Sequence, residues 1–398
     1  MQSDNSQTHY DYIITGMGCA GLSLICHLIE FDLIKNKKIL LIDKAPKTKN
    51  DRTWCSWQKE NTLFESIVKH RWQKVHFHSD TFSKLLDLSP YTYKMIEGID
   101  FYNFAYQKIA NHENIHIVYS DVSSIESHEQ GATVHTPTHI YTAPWIFNSI
   151  IFRQPDYTFK HNYLQHFKGW VIRTHEDTFN PEEATLMDFR VPQVDNDFTF
   201  VYVMPTDKRT AMVEYTLFSK TMLAEVDYEE ALKSYIHTYI GVEKYDILHH
   251  EFDVIPMTDA KFPDYGKHII NIGTAGGAIK PSTGYGFMMI QRQCTQIVKQ
   301  LTQSKAPYFK NQASHWRYKM YDSILFNVIE QKKILGRQIF TDIFQYNPTD
   351  SVLRFLDNEA SIAEELKLQS TVSIKHFVLG AITEANKRLK NSFRTLKN

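Results

Sequence analysis

The sequence predicts an α/β chain: a parallel-sheet domain at the N-terminus, an antiparallel-sheet domain after it and a helical C-terminal region. Three observations carry this expectation. The chain opens with strand, glycine-rich turn, helix and strand in succession. Between Lys168 and Ser219, strand-like runs alternate with turn signals. After Gln291 the periodicity is almost wholly helical.

Taken in order, residues 1–9 are polar and read as a disordered tail. Tyr10–Thr15 (YDYIIT) is a short apolar strand, and Ala20–Phe31 has Leu22, Ile25, Leu28 and Ile29 on one helical face. Lys38–Asp43 (KILLID) is an apolar strand ending in an acid. This is a β-α-β unit, which requires a parallel sheet. Residues 50–60 read as a loop, Thr62–Lys69 and Ile99–His112 as helices, Ile115–Val118 and Thr133–His135 as strands of an outer meander, and Ala143–Ile151 as a buried strand. GWVIRT, ATLMDF, FTFVYVMP and TAMVEYTLF then form an antiparallel sheet, with Thr206–Arg209 as a hairpin loop. His268–Ile272 is another buried strand, followed by a glycine-rich loop over 273–286. Helices are expected over 291–303, 311–344, 349–357, 359–369 and 373–391. The corresponding domains are 10–160 with 250–300 for the discontinuous nucleotide domain (part of the substrate lobe inserted), 161–249 for the substrate sheet and 301–398 for the helical region.

Composition narrows the function. With 398 residues, 44 Lys+Arg against 45 Asp+Glu and a net charge of -1, nothing suggests a nucleic-acid partner. The 4 cysteines (Cys19, Cys26, Cys55, Cys294) have neither metal-site nor disulfide-framework spacing, so no metal is expected and a reducing cytoplasmic setting fits. No apolar run is long enough to span a membrane, and no signal peptide is evident. Aromatic residues are 13% of the chain, enough for either a large core or the lining of a long apolar ligand; composition does not choose between them.

Gly16-Met17-Gly18-Cys19-Ala20-Gly21 fits the dinucleotide fingerprint G-x-G-x-x-G, and Asp43 follows at about the 20-residue interval expected of a ribose-binding acid. Gly16 suits the tight turn, Gly18 a close approach to pyrophosphate, and Gly21 close packing of helix on strand. A second glycine-rich loop, Ile272–Gly286 with Gly273, Gly276, Gly277, Pro281 and Gly284, lies far downstream. This layout points to FAD rather than a nicotinamide alone, and so to a Rossmann-like FAD-binding domain of the glutathione reductase and p-hydroxybenzoate-hydroxylase type.

Five segments resemble the lycopene β-cyclase family, a branch of the flavoprotein monooxygenase-like superfamily. They are DYIITGMGCAGLSL, Asp51–Trp57 (DRTWCSW), the run from Met187-Asp188 through FTFVYVMP to Val213-Glu214-Tyr215-Thr216, GTAGGAIKPSTGYGF, and FLDNEASIAEELKL near the C-terminus. Gly273-Thr274 stands where flavin hydroxylases usually have Gly-Asp, which counts against a hydroxylase and leaves the ribityl-contacting group open. The resemblance implies cyclisation of the ψ-ends of lycopene, or a related ψ-ended carotenoid, to β-ionone rings through γ-carotene to β-carotene. It also implies FAD in its reduced form, with NADPH or NADH as reductant.

Such chemistry needs an acid protonated near neutral pH, hence a carboxyl in an apolar site. Glu214 is the candidate. Strand alternation groups it with Met212, Thr216 and Phe218, and the resemblance places the catalytic acid there. Asp188 is read either as a second carboxylate of the site or as a buried partner of Arg190 or Arg52. Arg52 suits a phosphate or an anionic flavin. Trp54 and Tyr285 are expected to line the substrate path; Trp54 and Trp57 equally suit packing on the flavin or anchoring the core. The C-terminal Lys387, Arg388, Lys390, Arg394 and Lys397, beside Phe377, Val378, Leu379, Ala381 and Ile382, fit either a solvated C-terminal helix or a peripheral contact with the inner membrane surface. An FAD-dependent monooxygenase or oxidoreductase acting on another apolar isoprenoid is the competing reading.

Overall fold

The structure, a computed structural model, describes residues 7–194, 198–308, 315–331 and 335–395, with the side chains of 315 and 389–395 outside the description. Its nucleotide domain is a five-stranded parallel sheet in the order Ile269–Asn271, Trp145–Asn148, Tyr12–Thr15, Ile39–Asp43, Ile115–Tyr119. The inner strands are mostly apolar because both of their faces are covered, whereas the edge strand Ile115–Tyr119 is only partly buried. The helix Cys19–Glu30 is buried along all of Ala20–Leu28. It is followed by Asp32 and Asn36 at positive φ, residue types that tolerate the left-handed region. The helix Phe287–Thr302 packs beside it, burying Phe287, Ile290, Cys294, Ile297 and Val298 on one stripe. His27 and Ser23 meet the Gln291 side chain at 3.1 and 2.9 Å, tying the two helices together.

The domain expected to hold substrate is built on a seven-stranded sheet. From one edge it runs Tyr245–Thr258, Asn162–Thr174, Thr210–Ser219, Phe198–Pro205, Glu183–Asp188, Lys74–His78, Ser83–Asp87. All neighbours are antiparallel except Glu183–Asp188 with Lys74–His78. One face, with Val201, Val213, Tyr215 and Leu217, is covered by the helix Glu225–Tyr235. The other, with Phe198, Phe200, Tyr202, Met204 and Met212, packs on the C-terminal helices. There, His315–Glu330 and Ile374–Thr395 cross closely: a Cβ at Gly380 would stand 3.1 Å from the Val328 side chain and 3.2 Å from the Ile324 carbonyl. Asp259 fastens these helices to the sheet, accepting from Ser323 Oγ at 2.7 Å and contacting His161 Nδ1 at 3.0 Å.

The parallel domain, the antiparallel substrate sheet and the helical C-terminal region match the fold class read from the sequence. Several details differ. Residues 53–58, read as loop, form a strand paired with Thr92–Glu97. Its two tryptophans, three residues apart, fall on opposite faces of that strand, so no one-sided apolar alternation marks it among the flanking charges. Thr62–Lys69 holds only a single 3₁₀ turn, Glu65–Ile67. Ala143–Ile151 splits: Ala143 ends the meander strand Ile140–Ala143, and Trp145–Asn148 joins the parallel sheet. Within the tail, Gln7–His9 pairs with Ile140–Thr142; residues 1–6 lie outside the described residues. The expected 311–344 helix is two, His315–Glu330 and Gly336–Tyr346. The substrate sheet also takes strands 74–78 and 83–87 and continues to Thr258, past the boundary placed at 249.

Gly336 begins its helix directly against the ring of the fully buried Phe198, where any Cβ would collide. Gly336→Ala is predicted to lower the unfolding free energy by about 1–3 kcal/mol, measured by urea titration. Unchanged stability would show that Phe198 has room to move.

Candidate active site

The first glycine loop is shaped as its sequence implies. A Cβ on Gly16, whose φ is +89°, would run into Ser149, and one on Gly21 into the Gly16 carbonyl; beside Gly18 there is nothing within 4 Å. The helix from Cys19 has no side-chain cap and no acid in its first turn, so its amide N–H groups remain available to an anion. Asp43 Oδ2 accepts from the Met17 N–H at 2.6 Å, pinning the loop to the end of the second strand.

The second loop sits against the first. A Cβ on Gly273 would stand 2.6 Å from the Ala20 side chain, a Cβ on Gly276 would strike the Asn271 carbonyl, and Gly277, at φ +69°, faces open space. The Gly273 N–H donates to Gln293 at 2.7 Å. Pro281 starts a turn in which the Gly284 N–H donates to the Lys280 carbonyl at 2.9 Å, and Gly284 lies against Gln165 with no space for a side chain. Lys280 is itself buried. It contacts Asn358 at 2.6 Å and Asp322 at 3.3 Å, locking the loop to the helical region. The uncapped N-termini of Cys19–Glu30 and Phe287–Thr302, with Gly18 and Gly277 open beside them, fit a dinucleotide whose phosphates need close backbone approach.

The strand Thr53–Gln58 bridges the two domains. Its Thr53 N–H donates to Glu251 Oε1 at 2.8 Å, and Cys55 Sγ lies 3.2 Å from Met204 Sδ. Arg52 precedes it, 3.5 Å from Asp51 and from Asp253. Burial works against the Arg52 charge, but Asp253, Tyr102 and Asp51 outweigh it and hold the guanidinium more firmly protonated than usual; its field reaches Cys19, at the start of the glycine-loop helix. The Arg52 Nε, 3.5 Å from Asp51 Oδ1, is buried without a hydrogen-bond partner.

Glu214 lies on the sheet face turned toward this strand. It is 8% exposed, and its carboxyl is enclosed. In register it stands beside Tyr202 on one side and Gly169 on the other. Thr216 Oγ1 donates to Oε1 at 2.8 Å. Burial, reinforced by the nearby Glu251, pushes the Glu214 carboxyl up to about 8. Around it, burial also raises the Cys55 thiol and the Tyr202 and Tyr285 hydroxyls, so this surface stays neutral. A narrow cavity of ≈ 20 Å³ lies between Cys55, Trp57, Tyr285, Phe287 and Asp357. Burial lifts the Asp357 carboxyl to about 6 despite its contact with Arg292. The larger hollow of ≈ 620 Å³ at the hairpin end, lined by Arg173, His175, Asp207, Arg209 and Asp246, is an open polar surface away from these groups.

The structure brings together Glu214, Tyr285 and, across the bridging strand, Arg52 and the glycine loops. Two other residues go elsewhere. Asp188 pairs with Val201, on the opposite face of the sheet from Glu214. It is held there by Arg190 at 2.9 and 2.6 Å and by the Tyr235 hydroxyl at 2.8 Å. Of its two readings, the buried ion pair is the one found. Trp54 points into the nucleotide-domain core, 5.2 Å from Phe101 and 5.7 Å from Phe287 between ring centroids. Because the segment is a strand, Trp57 faces the other way and meets Tyr285 edge-on at 4.8 Å. Sequence reasoning missed Glu251 and Asp357. The first sits in a run whose strand pattern is masked by His249 and His250; the second lies in the C-terminal segment, which carried a resemblance but no chemistry. His161, Asp259 and Glu384 also converge within 4.8 Å, but Ser323, Lys387, Asn327 and Arg388 already engage them.

This fold is that of flavin-dependent monooxygenases, halogenases and reductases. A geranylgeranyl bacteriochlorophyll reductase-like protein from Thermoplasma acidophilum superposes with a TM-score of 0.59 at 13% identity, covering 92% of this chain and 96% of its own. The flavin-dependent brominase Bmp2 gives 0.57 at 13% identity, covering 98% and 100%. The halogenase PltM, solved in complex with phloroglucinol and FAD, gives 0.59 at 11% identity, covering 96% of each chain. No curated protein sequence matches the chain. The family profile described as "Lycopene cyclase protein" matches residues 11–384, and the chain belongs to that family.

Glu214 gives stability a specific pH dependence. It holds its proton up to about 8 when folded and loses it near its ordinary 4.5 when unfolded. The folded state therefore carries the extra proton between those values. This group's contribution is complete below the unfolded value and is lost as pH rises through the folded one, at up to about 1.4 kcal/mol per pH unit. Urea titrations are predicted to show that decline in the wild type and a smaller one in Glu214→Gln. Equal declines would contradict a buried, neutral Glu214.

Proposed function

We propose that the protein is an FAD-dependent lycopene β-cyclase. The carrying observation is Glu214: a carboxyl enclosed by Met212, Tyr202 and Cys55 that keeps its proton at neutral pH. With Oε1 accepting from Thr216, Oε2 is the oxygen that carries the proton and presents it. That proton passes to the terminal double bond of a ψ-end. The tertiary cation so formed is attacked by the internal double bond, and loss of a ring proton leaves the β-ring. Substrate and product have the same mass, γ-carotene arises first, and no electron is consumed overall. The apolar wall keeps water from the cation.

Gly16, Gly18, Gly21, Asp43, Arg52, Gly273, Gly276 and Gly277 would hold FAD, with Pro281 and Gly284 shaping the second loop. Bound in its reduced form, with NADPH or NADH as reductant, FAD would supply negative charge against the developing cation. Tyr285 and Trp57 would flank the polyene end.

The substrate partitions into bilayers, yet no helix among the described residues is long and apolar enough to cross one. Ile362, Leu366, Ile374, Val378, Leu379 and Ile382 are exposed on the last two helices, and this stripe supports a peripheral contact with the inner membrane surface. Lys387 and Arg388 contribute less than their sequence suggests, being engaged by Glu330 and Glu384; the side chains of Lys390, Arg394 and Lys397 lie outside the described residues.

Purified protein supplied with FAD, a reductant and lycopene in liposomes, without oxygen, is predicted to give a ring-bearing product of unchanged mass. Glu214→Gln should lower kcat by about 10²–10⁴. An oxygenated product formed only with NADPH and oxygen would instead assign the chain to monooxygenases acting on apolar isoprenoids.

A further inference from the structure

Two carboxyls flank one glycine on the same face of the sheet. Gly169 is the register partner of Glu214 on one neighbouring strand and of Glu251 on the other. Directly opposed residues in an antiparallel sheet project to the same side, so Glu251, Gly169, Glu214 and Tyr202 form one row. With no side chain on Gly169, the space between the carboxyls stays open; a Cβ there would stand 3.6 Å from Glu214 Cβ and Cγ and 2.8 Å from Met212 Cε. Glu251 is only 4% exposed. Its Oε1 is occupied by the Thr53 N–H at 2.8 Å, while its buried Oε2 has no hydrogen-bond partner. A buried carboxylate oxygen without a donor is costly unless it has a task.

Resting on the cyclase reading above, we propose that Glu251 is the base of the reaction, its free Oε2 taking the ring proton from the cation that Glu214 generates. The proton inventory closes. The Glu214 O–H bond breaks as a C–H bond forms at the CH carbon of the terminal double bond, leaving the positive charge on its dimethyl carbon. The internal double bond supplies the electrons of the new ring C–C bond, and the positive charge moves to a ring carbon. The adjacent ring C–H bond then breaks; its electron pair becomes the ring double bond and its proton goes to Glu251. The pair ends with the same single proton on the other carboxyl, and its return from Glu251 to Glu214 resets the site without oxidant or reductant. The surroundings favour this division of labour. Burial and Asp253 raise the Glu251 carboxyl, but the Thr53 amide and hydroxyl and Arg52 oppose them, whereas Thr216 is the group that lowers Glu214.

The test is the product spectrum of wild type, Glu251→Gln, Glu251→Asp and Glu214→Gln in the anaerobic liposome assay. Glu251→Gln is predicted to make β-rings about 10²-fold more slowly or worse. It should release the trapped cation by other exits, as hydrated rings or rings with a displaced double bond. Glu251→Asp should keep the β-ring as its main product at reduced kcat, and Glu214→Gln should depress every ring product alike, by about 10²–10⁴. Wild-type β-ring output from Glu251→Gln, or a complete absence of cyclic products from both Glu251 variants, overturns the assignment. A wild-type enzyme that makes no ring removes the cyclase reading itself, a separate outcome.

Discussion

A carboxyl group taken out of water must surrender its charge, find a partner or destabilise the fold around it. Glu214 meets this constraint by remaining protonated. Its neighbours are sulfur, aromatic rings and one threonine hydroxyl rather than a lysine or arginine. The sheet makes this possible by carrying its charged pairs elsewhere. Asp188 and Arg190 satisfy each other on the reverse face, and Lys168 is bound by Glu225 and Glu229. The charges that act on the acid are those of Glu251 and Asp253, and Arg52, beside Glu251, is itself engaged by Asp51 and Asp253.

The remaining architecture holds the two glycine loops against that acid. The strand Thr53–Gln58 leaves the nucleotide domain beside Arg52, fixes Glu251 through a backbone amide and lays Cys55 on Met204. On the other side, Lys280 ties the second glycine loop to Asp322 and Asn358 of the helical region. That region also supplies Asp357 to the cavity wall. Three parts of the chain distant in sequence therefore share one small interior, and a shift in any of them would alter the spacing between glycine loops and acid.

The sequence displays some of this directly. Gly16, Gly18 and Gly21 are legible because each answers a steric demand that no other residue meets, and strand alternation puts Glu214 with Met212 before any coordinates are known. Other features depend on register, which a single sequence does not contain. Nothing in HHEFDVIPM says that Glu251 falls opposite Gly169. The flanking histidines suggest an exposed segment, and the strand is indeed half-exposed along most of its length. Asp188 shows the same limit: its apolar neighbours promise burial, but only the pairing with Val201 says on which face. Trp54 and Trp57 were separable in principle, since a strand period divides them, but reading the segment as loop removed the argument.

The central claim is that Glu214 is a neutral acid at physiological pH, and infrared difference spectroscopy of the purified protein across a pH titration tests it most directly. The account predicts a protonated-carboxyl band that is present at pH 7, disappears through about pH 8 and is missing from Glu214→Gln. A wild-type spectrum without that band at pH 7, or with the same band in Glu214→Gln, would contradict it.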